Sequence, residues 1–350
     1  MAATTVFSLI FIFITIPSLL AAASSPPYLS AATFFRNHQN MLTSFRIFIY
    51  TPTKPFNFPD GPASLFYSSL VNSQFLTQNP NEAHLFFVPF SPDTSTHSLS
   101  RVVRQLRNAY PYWNRTLGAD HFFLSPAGID YSSDRNILEL KKNSIQISVF
   151  PVVSGYFIPH KDITLPPISK FKIGDLNRME ENSTRWASFL GYLNWDGEIE
   201  SNLVNELISD VDFLVEKKPE ASINMRSKFC LFFYNGGGLP MMAEAMSLGC
   251  VPVVIVDRPI QDFPLMDVLR WSEISLLVKL LPRGGGVKRL KEVLGGISEE
   301  KYAEMRGLCV AASRHLVWNE ESQPLDAFQM AMHHLWLKRH AVRYARKEFV

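Results

Sequence analysis

The chain has 350 residues, of which 47% are hydrophobic and 19% charged, with a formal net charge of +2. That composition can bury a sizeable core, which excludes a disordered chain, and the length suits two domains of ordinary size. The near balance of charge excludes the strongly basic face that nucleic acid binding needs, so no nucleic acid partner is expected.

Thr5 to Ala23 carries no charge over about 19 residues, a length between a signal-peptide core and a membrane span. Ala21 and Ala23 form a cleavage-like pattern, while the stretch before Val6 lacks Lys and Arg. Residues 1–24 therefore read as a signal peptide or as an uncleaved signal anchor, and either leads into the secretory pathway. Residues 25–44 read as a linker. The sequons at Asn114 and Asn182 agree with a lumenal, glycosylated chain. The three cysteines are too few for a disulfide scaffold and lack metal-ligand spacing.

From Phe45, short apolar runs alternate with helical patterns. "FRIFIY" reads as a strand closed by a Pro-rich turn, "SLFYSSLVNSQFL" as a helix, and "AHLFFVPF" as a strand. "LSRVVRQLRNAYPYW" is an amphipathic helix, "DHFFLS" a strand, and "IQISVF" and "YFIPHKDITLP" continue the rhythm. This alternation predicts an α/β unit over 45–167, with a parallel sheet covered on both faces. A second unit spans 168–325, opening with a strand in "RWASFLGYLN" that gives way to loop at Gly191. A helix and basic tail, 326–350, close the chain. The charge run in that tail, with Lys338, Arg339, Arg343, Arg346 and Lys347, reads as a solvated face. Two parallel-sheet units in one chain place a cleft between them.

The second unit holds "RSKFCLFFYNGGGLPMMAEAMSLGCVPVVIVD". In an open α/β sheet the ligand sits beyond the carboxyl ends of the strands. The strand "FCLFF" ends at Tyr234, and Asn235, Gly236, Gly237 and Gly238 follow at once. Backbone without Cβ atoms lets N–H groups approach an anion closely, and the helix begun near Pro240 turns its positive end the same way. Glu244, one turn in, is placed to meet a ribose hydroxyl. The loop matches neither a Walker motif nor G-x-G-x-x-G, so a glycine-rich surface turn is the structural alternative. Cys230 and Cys250 begin two apolar runs, as neighbouring parallel strands would. They form the favoured disulfide pair, the alternative being separately buried thiols.

"PYWNRTLGADHFF", "GYFIPHKDITLP", "RSKFCL", "AEAMSLGCVPVVIVD", "FPLMDVLRW" and "LDAFQMAMHHLWLKR" occur in one order between Phe45 and Arg339. The series resembles the exostosin-like glycosyltransferases of family 47, in their plant cell-wall branch. The resemblance implies a GT-B fold, two Rossmann-like domains facing a central cleft. It implies inverting transfer from a nucleotide sugar, with a UDP-sugar expected, to a cell-wall polysaccharide or glycan. It also implies a Golgi type II membrane protein or a lumenal enzyme, and complexes with other glycosyltransferases. Carried over residue by residue, it gives Glu244 a donor-binding role and Asp267 and Trp271 a supporting one. It also supports the Cys230–Cys250 pairing.

The chain departs from the family pattern at Met241, where an Arg usually holds the diphosphate. It departs again at "LSPAGID", where a His-Asp-Trp-Gly-like run is usual. Arg226, Lys228 or Arg258 is then the substitute cation; the alternatives are a reduced donor affinity and a silent relative that serves an active transferase as a scaffold. Inversion needs a base from the first unit, and the candidates are Asp120, His121, Asp130, His160 and Asp162. Asp120 and His121 also suit capping and packing at a sheet end, and His333 and His334 suit a helix core. No D-x-D pair sits at a strand end, so no metal and no cofactor is expected.

Overall fold

The computed structural model describes residues 26–52, 56–153, 155–168, 189–195, 202–216, 227–234, 239–279 and 286–339. Two five-stranded parallel sheets organise the chain. The first has strands β1 (Ile47–Ile49), β2 (Leu85–Phe87), β3 (His121–Leu124), β4 (Ile145–Val149) and β5 (Ile163–Leu165), side by side in sequence order. Side chains alternate across a strand, so Leu85 and Phe87 enter one apolar layer and Phe86 the opposite one. Phe122 and Leu124 likewise oppose Phe123. One layer is closed by helix α2 (Pro62–Val71) and the other by α3 (Thr96–Ala109) and α5 (Arg135–Asn143). A short helix, α4 (Tyr112–Thr116), precedes β3. Burial on both faces explains why these strands are continuous hydrophobic runs.

The second sheet contains β6 (Phe189–Asn194), β7 (Phe213–Glu216), β8 (Ser227–Phe233), β9 (Val251–Val256) and β10 (Leu276–Lys279). Its order is β10-β9-β8-β6-β7. Helix α6 (Asn202–Ile208) joins β6 to β7, and α7 (Met242–Ser247) joins β8 to β9. Gly191 does not end the first strand of this unit as expected. It sits within β6, paired with Phe213 and Phe229. The strand continues to Asn194 because the missing side chain admits the Phe213 ring: a Cβ there would lie 2.6 Å from it. Cys230 and Cys250 are joined by a disulfide, tying β8 to the residue before β9.

The remaining helices are α8 (Trp271–Ile274), α9 (Gly286–Gly295), α10 (Glu299–Ser313) and α11 (Ala327–Lys338). Residues 25–44 are more than a linker: α1 (Ala31–Ser44) occupies most of that stretch. Its inner face carries Phe34, His38 and Met41, and counting the buried His38 as polar hides the helical stripe. Tyr28 and Phe34 enter the core of the second unit, while Trp318, Phe328, Leu335 and Trp336 from the end of the chain enter the core of the first. Both chain ends thus cross over, and α1 packs on α11 between the units. Trp318 joins the first core ahead of the boundary expected at 326, with its Nε1 donating to Pro166 O at 2.8 Å.

Candidate functional site

In the second sheet the chain leaves β6 for β7 on one side and returns to β8 on the other. The carboxyl ends of β6 and β8 therefore flank a topological switch point, where open α/β sheets bind ligands. The first sheet, in simple sequential order, has no such point. Asn194 closes β6, Tyr234 follows β8, and both belong to this edge.

Asp262 organises the junction of the two units. Its Oδ1 accepts from Tyr234 OH at 2.6 Å and its Oδ2 from Val152 N, just past β4, at 2.8 Å. Its carbonyl oxygen accepts from Thr164 Oγ1 of β5 at 2.7 Å. Asp262 is buried, so these bonds do not compete with water. Phe150 adds ring contacts to Tyr234 and Phe263 across the same seam. Burial, reinforced by the Asp262 carboxylate, raises the Tyr234 pKa well above the ordinary phenol range, so Tyr234 stays a neutral donor.

Arg258 follows β9 by two residues, and its guanidinium lies 5.0 Å from the centre of the Tyr234 ring. Half-buried against that ring, it is a cation on the carboxyl edge beside the switch point. Sequence reasoning named it only as a substitute; its position immediately after a buried strand is the signal that marks it. Met241, where the family pattern has an Arg, caps the start of α7 with no side-chain bond to the helix. Its sulfur accepts from Asn194 Nδ2 at 3.0 Å. Glu244, in the first turn of α7, is buried.

Other expected site residues fall elsewhere. Lys228 lies at the start of β8 and pairs with Glu299 at 2.5 Å. That end is roughly 17 Å from the strand's carboxyl end, so Lys228 is not a donor-site cation. Asp120 and His121 stand at the start of β3, on the amino edge of the first sheet, and both are buried. Thr116 Oγ1, Arg115 and His121 Nδ1 lie at 2.5, 3.1 and 2.8 Å from the Asp120 carboxylate, and His121 Nε2 is 2.9 Å from Tyr50 OH. Burial would raise the Asp120 pKa, but the bonds from His121 and Thr116 and the Arg115 charge outweigh it and take the value to about 2. Burial lowers that of His121.

Asp162 precedes β5, again on the amino edge, with Gln146 N and Ile158 N donating to it at 3.0 and 2.8 Å and Lys161 paired to it. These three residues are structural pins for strand starts, and the structure removes them from the catalytic edge. His160 also lies ahead of β5, and its carbonyl accepts from Lys338 Nζ. Asp130 is exposed in the loop after β3, but that loop folds back: Ile129 N donates to Gln146 Oε1 near the start of β4, and Lys141 Nζ lies 5.7 Å from the centre of the Tyr131 ring.

Asn114 is exposed on α4, its side-chain amide donating to Arg107 O. Residues 1–25, Asn182, Arg226, Asn235, Gly236, Gly237 and Gly238 lie outside the described residues. No helix among the described residues is long and apolar enough to cross a membrane. Asp267 accepts from His334 at 3.0 Å and pairs with Lys338 at 2.6 Å, and Trp271 stacks on Phe263 at 4.6 Å, so both brace the seam.

Two Rossmann-like units joined along their carboxyl edges, with the switch point on the second, define the GT-B class of fold. The exostosin GT47 domain profile matches residues 41–281. The chain belongs to the exostosin GT47 family of glycosyltransferases. A probable glycosyltransferase of Arabidopsis thaliana is 30% identical over 350 aligned residues, covering 90% of this chain and 66% of that protein. A probable beta-1,4-xylosyltransferase of the same plant is 25% identical over 76% of this chain and 72% of its own length. A probable glucuronoxylan glucuronosyltransferase, also from Arabidopsis, is 28% identical over 80% of this chain and 67% of its own length.

Proposed function

We propose that the protein is an inverting glycosyltransferase that moves a sugar from a nucleotide donor, a UDP-sugar, to a plant cell-wall polysaccharide or glycan. The observation that carries this reading is the switch point flanked by Asn194 and Tyr234, with Arg258 beside it. The diphosphate would lie between the start of α7 and the Arg258 guanidinium, and the Glu244 carboxylate would take a ribose hydroxyl. As the glycosidic bond to phosphate breaks, negative charge builds on the leaving diphosphate, and a fixed guanidinium stabilises it more in the transition state than in the ground state. Attack from the opposite face needs a base on the first unit, close to the Asp262 junction.

The reading asks no metal of the protein, and donor turnover in the presence of a chelator tests that part. It places the enzyme in the Golgi lumen, held by residues 1–24 or released from them, in company with other transferases. The relatives named for xylosyl and glucuronosyl transfer support a cell-wall acceptor.

Calorimetric titration of the full chain with UDP tests the donor site. Binding to the wild type, weakened at least tenfold by Arg258→Ala with unchanged thermal stability, is the expected result. A second reading, a silent relative acting as a scaffold, is favoured by Met241 in the place of a cation. Absence of UDP and UDP-sugar binding by folded protein would overturn the first reading and leave the second standing.

A further inference from the structure

A cavity of about 670 Å³ opens beyond the carboxyl ends of β1 and β2, away from the switch point. Phe56, from the Pro-rich loop after β1, and Phe90, from the loop after β2, supply its aromatic wall. Asp93, Thr94, Arg101 and Gln105 supply polar groups. Phe56 is held edge-on by Phe58 and Tyr67, and Ser91 Oγ donates to the Asp93 carboxylate. Arg101 and Gln105 stand one turn apart on α3, both exposed.

We propose that this cavity is a remote subsite for the acceptor glycan, gripping a sugar ring that is not the one being extended. The inference rests on the glycosyltransferase reading above, and it concerns the acceptor alone. The lining chemistry selects the ligand. Phe56, only half-buried, offers apolar ring surface to the C–H face of a sugar. A carboxylate, a guanidinium, a hydroxyl and a carboxamide in one cavity match a ring of hydroxyls that both donate and accept. The opposed charges of Asp93 and Arg101 disfavour a simple anion, and so many polar groups disfavour an apolar ligand. The volume falls in the ordinary range for small-ligand sites.

Position supplies the second half. The cavity lies on the same carboxyl edge as the Asp262 junction, but β2 is two strands from β4 and three from β5. At the spacing of a parallel sheet that is roughly 10–14 Å, further than one sugar ring spans. A ring held in the cavity and a hydroxyl at the junction then belong to one extended chain. The acceptor is therefore an oligosaccharide whose length the protein measures, and a disaccharide held at the junction stops short of the cavity.

The test uses full-length protein and a panel of neutral and acidic plant cell-wall hexasaccharides (xylan, xyloglucan backbone, galactan and homogalacturonan), each with its disaccharide. Binding is read by saturation-transfer NMR and titration. At least one hexasaccharide should bind the wild type tenfold or more tightly than its disaccharide. Phe56→Ala and Arg101→Ala should each erase most of that advantage while leaving disaccharide and UDP binding unchanged. Arg101 is exposed, so its variant guards against misfolding at Phe56. Hexasaccharide binding that survives both substitutions overturns the proposal, as does a panel in which none binds. Failure of UDP to bind, with the chain-length effect intact, would instead sink the donor reading and leave the subsite standing.

Discussion

At the scale of single residues, strand direction separates the side chains proposed for the donor site from those that pin strand starts. Asp120, His121, Asp162 and Lys228 stand at strand starts, and Tyr234 and Arg258 follow strand ends. In a parallel sheet that difference is the full length of the strand, and the ligand edge is the carboxyl one. The polarity of the residues was legible in the sequence; the end of the sheet they occupy follows once strand limits are known. Asp262 was not legible, because its three partners come from β5, from Val152 three residues past β4 and from the residue after β8. Met241 allows a direct test of the donor reading. Met241→Arg, set against Asn194 at the switch point, adds a planar cation where the diphosphate is assigned. A charge-assisted bond contributes about 1.5–3 kcal/mol, so UDP affinity should rise about tenfold or more in calorimetry. A fall in affinity would place the phosphates elsewhere.

At the scale of elements, the α/β alternation was readable because each strand is a short apolar run between turn residues. What stayed hidden was order: nothing local says that β6 lies between β7 and β8. Nor does local pattern show that α11 crosses back to the first sheet, where Met332, Leu335 and Trp336 help fill the core. Gly191 shows how one position fixes such packing. Phe213 of the edge strand β7 lies over the missing side chain, so Gly191→Val drives two methyl groups into a buried ring. Overpacking of this kind costs about 1–3 kcal/mol. Urea unfolding should show that loss, and UDP binding should weaken as well, because Asn194 ends the displaced strand. Unchanged stability would mean that β7 moves freely on β6.

At the scale of the whole molecule, the two units are held together by a layer that contains histidines. His38 on α1 and His333 and His334 on α11 are buried, as is His315 between α10 and α11. Phe34 meets the His333 ring edge-on at 4.9 Å, and Tyr28 OH meets His315 Nε2 at 2.9 Å. Burial lowers the pKa of each, to about 4 for His315 and about 3 for His333, and the charges of Arg314 on His315 and Arg339 on His333 act in the same direction. Asp267 partly opposes the shift at His334, while Lys338 adds to it.

The folded protein thus keeps these rings neutral where the unfolded chain, with an ordinary histidine pKa near 6.5, takes up protons. Stability contributed by the neutral rings is fully present above about pH 6.5 and falls as pH drops, by about 1.4 kcal/mol per unit for each such histidine. The depressed carboxylates Asp120 and Asp267 extend the loss below the ordinary carboxylate range, toward about 2 for Asp120. The melting temperature should therefore decline steadily from pH 7 to pH 4. Neither ring nitrogen of His333 has a hydrogen-bond partner among the described residues, so His333→Leu removes a titrating group without stranding a polar neighbour. That variant should match the wild type at pH 8 and exceed it at pH 5, with one proton fewer taken up on unfolding. Equal pH dependence in the two proteins would show that this layer is hydrated, and that the seam between the units opens to water in the native state.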